Sequence, residues 1–170
     1  MPVKIRSMTD SEFEIFRQWS VENQAKELME ERGISEEAAM KEAAEEVAGM
    51  LPEGLRTEHH FLMTIVGGES EESAGFLWTI HEETAGRKQS FLCDFAVWEP
   101  KRRKGYGAAA LNLMERNAAE LGCRESVLFV ADRNTAARAL YEKCGYRILR
   151  QAGCGKYMIK ELEDPTGNKT

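Results

Sequence analysis

The stretch Phe91–Ala110, F-L-C-D-F-A-V-W-E-P-K-R-R-K-G-Y-G-A-A-A, constrains the fold more than any other in this 170-residue chain. Phe91 to Trp98 is apolar and aromatic and reads as a buried strand. Pro100 ends it, because proline has no N–H to donate to a ladder. Arg102, Arg103 and Lys104 follow, then Gly105 and Gly107, and from Ala108 the residues are strong helix formers. The first N–H groups of a helix find no partner inside it, and glycine lets a ligand come close to them. Three cations beside such a helix end make a site for phosphate or pyrophosphate.

Different functions fit that loop. It can be a plain strand-to-helix turn with a solvated basic cluster. It can be a dinucleotide fingerprint, since Gly105-x-Gly107-x-x-Ala110 fits Gly-x-Gly-x-x-Gly/Ala and would imply a NAD-binding oxidoreductase. That fingerprint should open several consecutive βαβ units, and only one has room to follow. The acidic residue about 20 positions on is Glu125, which precedes the next strand rather than ending it. Asp132 is better placed along the strand but too far along the chain. The loop can also cradle the pyrophosphate of another coenzyme.

Composition bounds the rest. A formal net charge of −6, with 42% hydrophobic and 31% charged residues, suits one soluble globular domain. The acidic balance argues against nucleic acid as a partner and allows a cationic substrate. No signal peptide is expected from the opening residues, no apolar run is long enough to span a bilayer, and no membrane partner is expected. Cys93, Cys123, Cys144 and Cys154 form no Cys-x-x-Cys pair, and His59, His60 and His81 are not spaced with them as metal ligands. Reduced thiols, no metal and a cytoplasmic setting are the expectation.

In chain order, Val3–Met8 alternates as a strand. Thr9 and Glu12 form a capping box for a helix that carries Phe13, Phe16, Val21, Leu28 and Met29 and stops at Gly33. Ser35 opens a second helix with inner face Ala39, Ala43, Val47 and Met50. Strands follow at Phe61–Val66, Ala74–His81 and Ser90–Trp98, an antiparallel meander with a loop over Glu82–Gln89. The helix after the glycine loop turns Leu111, Met114, Ala118 and Leu121 inward and ends at Gly122. Ser126–Ala131 is an apolar strand that closes a βαβ unit with the strand of Phe91, so these two are parallel. Asn134 caps the next helix, and strands at Tyr146–Arg150 and Lys156–Ile159 finish the sheet.

Two motifs now stand in order. The first is Arg102-x-x-Gly105-x-Gly107 after an apolar strand. The second is Asn134-x-x-Ala137-x-x-Leu140-Tyr141-x-x-x-Gly145-Tyr146. Together, from about Ser73 to Leu162, they resemble the motifs of the GNAT N-acetyltransferase superfamily. Leu51-Pro52-x-Gly54-Leu55 followed by His59-His60 resembles a small group of bacterial members. The resemblance implies an α/β (α+β) fold: a mixed, mainly antiparallel sheet of about six or seven strands flanked by helices, the GNAT-like acyl-CoA N-acyltransferase fold. It implies one domain over 1–162, with the helical pair 10–50 lining the acceptor side, an acetyl-CoA-binding core over 90–146 and a polar tail at 163–170. The strands should splay beside the glycine loop to admit acetyl-CoA.

The resemblance also implies roles. Backbone N–H groups from Arg103 and Lys104 through Gly105, Tyr106, Gly107 and Ala108 would hold the pyrophosphate. Arg102, Arg103 and Lys104 would contact coenzyme phosphates or simply be solvated. Phe95, Ala96 and Val97 would offer backbone groups to the pantetheine arm, as an added strand pairs with an edge. Asn134 would bond the pantetheine or only cap its helix, with Ala137 beside it. Tyr141 would protonate the leaving thiolate. The acetyl group would pass directly to a primary amine, a cationic small molecule or a peptide. A non-catalytic acyl-CoA-binding or regulatory module would keep the coenzyme site and acetylate nothing, and a homodimer is left open.

An alkylammonium near the lysine value of about 10.4 is mostly charged at neutral pH, so a proton acceptor helps. Asp94 is the first choice, a carboxylate inside an otherwise apolar strand. Glu99, His59, His60 and a water chain are the alternatives.

Overall fold

The computed structural model describes residues 2–68 and 71–166, so the last positions of the expected polar tail, 167–170, lie outside the described residues. The elements are β1 (Val3–Ser7), α1 (Asp10–Arg32), α2 (Glu36–Met50), β2 (His60–Gly67), β3 (Ser73–Thr84), β4 (Arg87–Val97), α3 (Tyr106–Glu120), β5 (Glu125–Ala131), α4 (Thr135–Lys143), β6 (Arg147–Ala152) and β7 (Gly155–Glu161), with short 3₁₀ turns at Gly54–Arg56 and Glu99–Lys101. The seven strands form one sheet in the order β1-β2-β3-β4-β5-β7-β6. This is the mixed, helix-flanked fold that the motifs implied. The chain divides into two compact units, Ser7–Leu62 and the remainder.

The Ser7–Leu62 unit is built by its caps. The Thr9 hydroxyl accepts from the Glu12 N–H at 3.2 Å, and the Glu12 carboxylate accepts from the Thr9 N–H at 2.9 Å. That reciprocal box satisfies two donors that the first turn of α1 would otherwise strand. Gly33, at φ 66°, ends the helix and donates its N–H to the Met29 carbonyl. The Ser35 hydroxyl caps α2 by accepting from the Ala38 N–H. Ala39, Ala43 and Val47 are buried as their spacing requires, but Met50 is 41% exposed. It is the last residue of α2, where the backbone leaves the helical path and the periodicity no longer applies.

In the larger unit the alternating strands dominate. β3 and β4 are antiparallel from Gly75↔Val97 to Thr84↔Arg87. The expected loop over Glu82–Gln89 is mostly strand. Ala85 (φ 52°) and Gly86 (φ 76°) supply the two positive φ angles of a two-residue hairpin turn. The polar residues around it, which by composition suggest loop, form cross-strand pairs such as Glu83↔Lys88. β4 and β5 are parallel, joined through α3, and β5–β7 and β6–β7 are antiparallel.

Leu77, Leu92, Leu128, Val130 and Met158 from the sheet pack with Leu111 and Met114 of α3 and with Tyr141 and Tyr146 in one buried cluster. One face of the sheet is thus covered by α3 and α4. Leu121, expected on the inner face of α3, is 50% exposed, because the helix ends at Glu120. All four cysteines are free thiols. No helix among the described residues is long and apolar enough to cross a membrane.

Candidate active site

The site begins where β4 and β5 part. Their register runs from Gln89↔Glu125 to Leu92↔Leu128 and goes no further. β4 continues through Val97 and β5 through Ala131. A bulge marks the parting. Trp78 faces Asp94 while Thr79 faces Leu92, so Cys93 is the extra residue on β4. A bulge bends its strand and increases the local twist. It also leaves Cys93 and Asp94 side by side at the apex of the gap. Beyond it, backbone groups of Phe95–Val97 and Phe129–Ala131 border a wedge that an extended chain can enter.

β4 leads directly to the glycine loop. Its first turn is tied down, with the Arg102 Nε–H donating to the Val97 carbonyl at 2.8 Å. Arg102 therefore braces the loop against the strand end. Arg103 (φ 63°) and Gly105 (φ 82°) both lie in the left-handed region. A Cβ on Gly105 would meet nothing within 4 Å, so the approach to the helix end is open on that side. α3 starts at Tyr106, two residues earlier than the sequence suggested, and the Ala109 N–H makes the bond back to the Gly105 carbonyl. The N–H groups of the turn before Ala109 point out of the helix end, beside exposed Arg102, Arg103 and Lys104. A pyrophosphate fits this end by charge and by donor direction.

The two glycines do different work. A Cβ on Gly107 would lie 3.3 Å from Leu140 Cδ2 and 3.5 Å from Phe95 Cζ. Gly107 therefore faces packed side chains, and it is where the two sequence motifs meet. Tyr106 offers only backbone to a ligand, since its side chain is 3% exposed. Its ring lies over Gly67 of β2, where a Cβ would fall 2.1 Å from Tyr106 Cε1. In the sequence Gly67 marks only the end of a strand.

Asp94 and Tyr141 approach the gap from different faces. Residues opposite in a ladder share a face, and neighbours along a strand alternate. Phe95 points toward α3, so Asp94, opposite Trp78, points to the other face. Tyr141 belongs to the cluster under α3 and α4. Its phenol is pushed up to about 12, first by burial and then by the Asp94 carboxylate and Cys144. Cys93 is pushed up by burial, Asp94 and Glu82, so it stays a thiol and not a nucleophile.

Asn134 caps α4, its Oδ1 accepting from the Ala137 N–H at 3.2 Å. Glu99 is exposed in a 3₁₀ turn at the end of β4. His59 is exposed at φ 68°, with Nε2 3.5 Å from Glu58, and His60 opens β2.

A buried polar network escaped the sequence reading. Glu115 of α3 is 6% exposed. Its carboxylate accepts from the Tyr146 hydroxyl at 3.0 Å and from Lys160 Nζ at 2.6 Å. Tyr146 and Ser126 hydroxyls are 2.7 Å apart, and the Tyr146 ring meets Tyr141 edge-on at 5.9 Å. Burial and Glu115 push the Tyr146 phenol far up. The signal was an acidic residue beside Met114 on the apolar face of α3.

The model of the Acetyltransferase (GNAT) family matches residues 14–146. Two uncharacterised N-acetyltransferases of Bacillus subtilis (strain 168) are similar over most of their length. YdgE is 32% identical, with 86% of this chain and 92% of YdgE covered. YycN is 30% identical, covering 86% and 94%. The crystal structure of YycN superposes with a TM-score of 0.81 at 28% identity, covering 89% of this chain and 96% of that one. The PaiA N-acetyltransferase of Thermoplasma acidophilum, solved with coenzyme A, shares the fold at a TM-score of 0.69 and 18% identity, covering 95% and 100%. The dinucleotide reading falls with these matches and with a sheet whose parallel β4–β5 pair is flanked by antiparallel ones. Family match, full-length relatives and fold agree, and the chain belongs to the GNAT family of acetyltransferases.

Proposed function

We propose that the protein transfers the acetyl group of acetyl-CoA directly to a primary amine while both are bound. The observation that carries this reading is the wedge between β4 and β5, open beyond Leu92↔Leu128 and leading to the N-terminus of α3. The coenzyme's pyrophosphate lies on the N–H groups from Arg103 to Ala108 with the three basic side chains around it. Its pantetheine arm runs along Phe95–Val97 as a further strand would. A complex of the Thermoplasma acidophilum neighbour with coenzyme A supports the same ligand here.

The thioester then sits at the bulge. The amine nitrogen lone pair forms the N–C bond to the carbonyl carbon. The C–S bond breaks with its electron pair going to sulfur. The Tyr141 phenol gives its proton to that thiolate, and the proton lost by the amine passes to Asp94 or to water. Burial keeps Tyr141 protonated, as an acid must be. Asp94, on the face away from α3 and α4, holds or deprotonates the incoming ammonium.

A calorimetric titration with acetyl-CoA, CoA and NAD, followed by thiol release across a panel of amines, tests the reading. Binding of acetyl-CoA and CoA but not NAD, with thiol release that depends on an amine, is expected. Coenzyme binding with no amine-dependent release would leave a binding module, and no coenzyme binding would overturn the proposal.

A further inference from the structure

The sheet face turned away from α3 and α4 carries a row of aromatic side chains that acetyl-CoA does not account for. Phe129 is the first residue of β5 beyond the last parallel pair, and it is 44% exposed. It stands across the splay from Cys93 and Asp94. Tyr157 of β7 lies opposite it in the ladder, the two rings edge-on with centroids 5.1 Å apart. Phe91 meets Tyr157 at 6.5 Å, and the Arg150 guanidinium lies 4.3 Å from the centre of the Tyr157 ring.

Glycine seats the Phe129 ring. A Cβ on Gly155 would fall 2.3 Å from Phe129 Cζ and 2.6 Å from the Val130 carbonyl oxygen. No other residue at 155 allows the ring to lie as it does. A large ring fixed in place yet half open to solvent, just beyond the last β4–β5 pair, has the character of a binding wall.

Resting on the acetyltransferase reading above, we infer that Phe129 and Tyr157 form the acceptor subsite and that the acceptor is an arylalkyl monoamine. Its flat apolar body lies against Phe129, and its amino group reaches past the bulge to the thioester beside Asp94. At the two rings charge disfavours a polyamine; the carboxylates on this face, Glu125 and Glu161, stand four residues away along their strands, and Glu125 is paired with Arg87 at 2.7 Å. The Tyr157 ring already holds the Arg150 cation, and Arg147, opposite Ile159, lies on the same face. A second or third ammonium there meets like charge, whereas an uncharged ring stacks. One ammonium, directed at Asp94, is accommodated.

The test compares 2-phenylethylamine, n-butylamine and spermidine by thiol release, in the parent, Phe129→Ala and Phe129→Tyr. The parent should prefer 2-phenylethylamine over both others by about tenfold or more in kcat/KM. Phe129→Ala should lose that preference, Phe129→Tyr should keep it, and both should bind acetyl-CoA as the parent does by calorimetry. Saturation-transfer NMR should show the phenyl protons of 2-phenylethylamine contacting the parent and not Phe129→Ala. A preference for spermidine, no preference, or a preference that survives Phe129→Ala overturns the subsite while the acetyltransferase reading stands. Absence of acetyl-CoA binding to the parent overturns both.

Discussion

The Asp94 carboxylate raises the pKa of the Tyr141 phenol although the two side chains belong to opposite faces of the sheet. The proposed roles draw on this relationship: acetyl transfer to an amine needs one proton removed and one supplied, and Asp94 and Tyr141 would serve those two ends.

Tyr141→Phe should keep acetyl-CoA affinity, since the ring and its contact with Tyr146 remain. Turnover with a good amine should fall by about 10²–10⁴-fold, the usual cost of a lost general acid. In the parent, Tyr141 is held protonated to about 12. Any alkaline limb of kcat due to Tyr141 should therefore lie near that value and not near its ordinary 10. Steady-state kinetics against pH, with a calorimetric Kd for acetyl-CoA, check both statements. Unchanged turnover would move the acid role to water.

Two glycines, one in the loop and one beneath it, hold the loop by packing. Gly107→Val inserts atoms toward Leu140 and Phe95, already 3.3 and 3.5 Å from a first Cβ. It should weaken acetyl-CoA binding by displacing the start of α3, with the fold kept. Gly67→Ala forces the Tyr106 ring to move, since its Cβ would sit 2.1 Å from Cε1. Overpacking of that kind costs about 1–3 kcal/mol, and here it should also loosen the loop that Tyr106 anchors. Denaturant melts and coenzyme titrations of both variants give the comparison. Parent-like affinity in Gly107→Val would mean that the loop does not hold the coenzyme.

Local patterns explain which parts were legible in advance. Caps at Thr9, Ser35 and Asn134 depend on a few neighbouring residues, and each was read from the chain and found in place. The parallel β4–β5 pair followed from a strand, a helix and a strand in succession. The family was legible because two spaced motifs fall in one order. Gly67 under Tyr106 and Gly155 under Phe129 were not, because contacts between residues far apart in the chain leave no local period. Glu115 was missed for the same reason: its partners Tyr146 and Lys160 lie 31 and 45 residues away.

That buried network gives its own expectation. Tyr146→Phe removes the hydroxyl that Glu115 and Ser126 share. The loss should be about 1–3 kcal/mol, because two buried polar groups each lose a partner. Combining it with Ser126→Ala should cost less than the sum, since one absent hydrogen bond cannot be lost twice. Equilibrium urea unfolding of the two single variants and the double variant measures the coupling. Strict additivity would show that the 2.7 Å contact contributes nothing.

Asp94→Asn is the sharpest substitution at the bulge. It preserves shape and removes both the charge and the proton acceptor. If Asp94 is the base, kcat/KM falls at neutral pH and recovers partly at high pH, where the free amine is abundant. If Asp94 only holds the ammonium, KM rises with kcat nearly unchanged. Salt should raise KM for the amine in the parent under either role, because screening weakens attraction to the carboxylate. The variant carries a second readout at Tyr141. Removing the Asp94 charge should lower the Tyr141 pKa from about 12, though not to 10, since burial is the larger cause. Tyrosinate absorbance followed on alkaline titration detects that change. An Asp94→Asn protein that matches the parent in both constants across pH, with Tyr141 titrating lower, would show a carboxylate that is near the site and takes no part in the transfer.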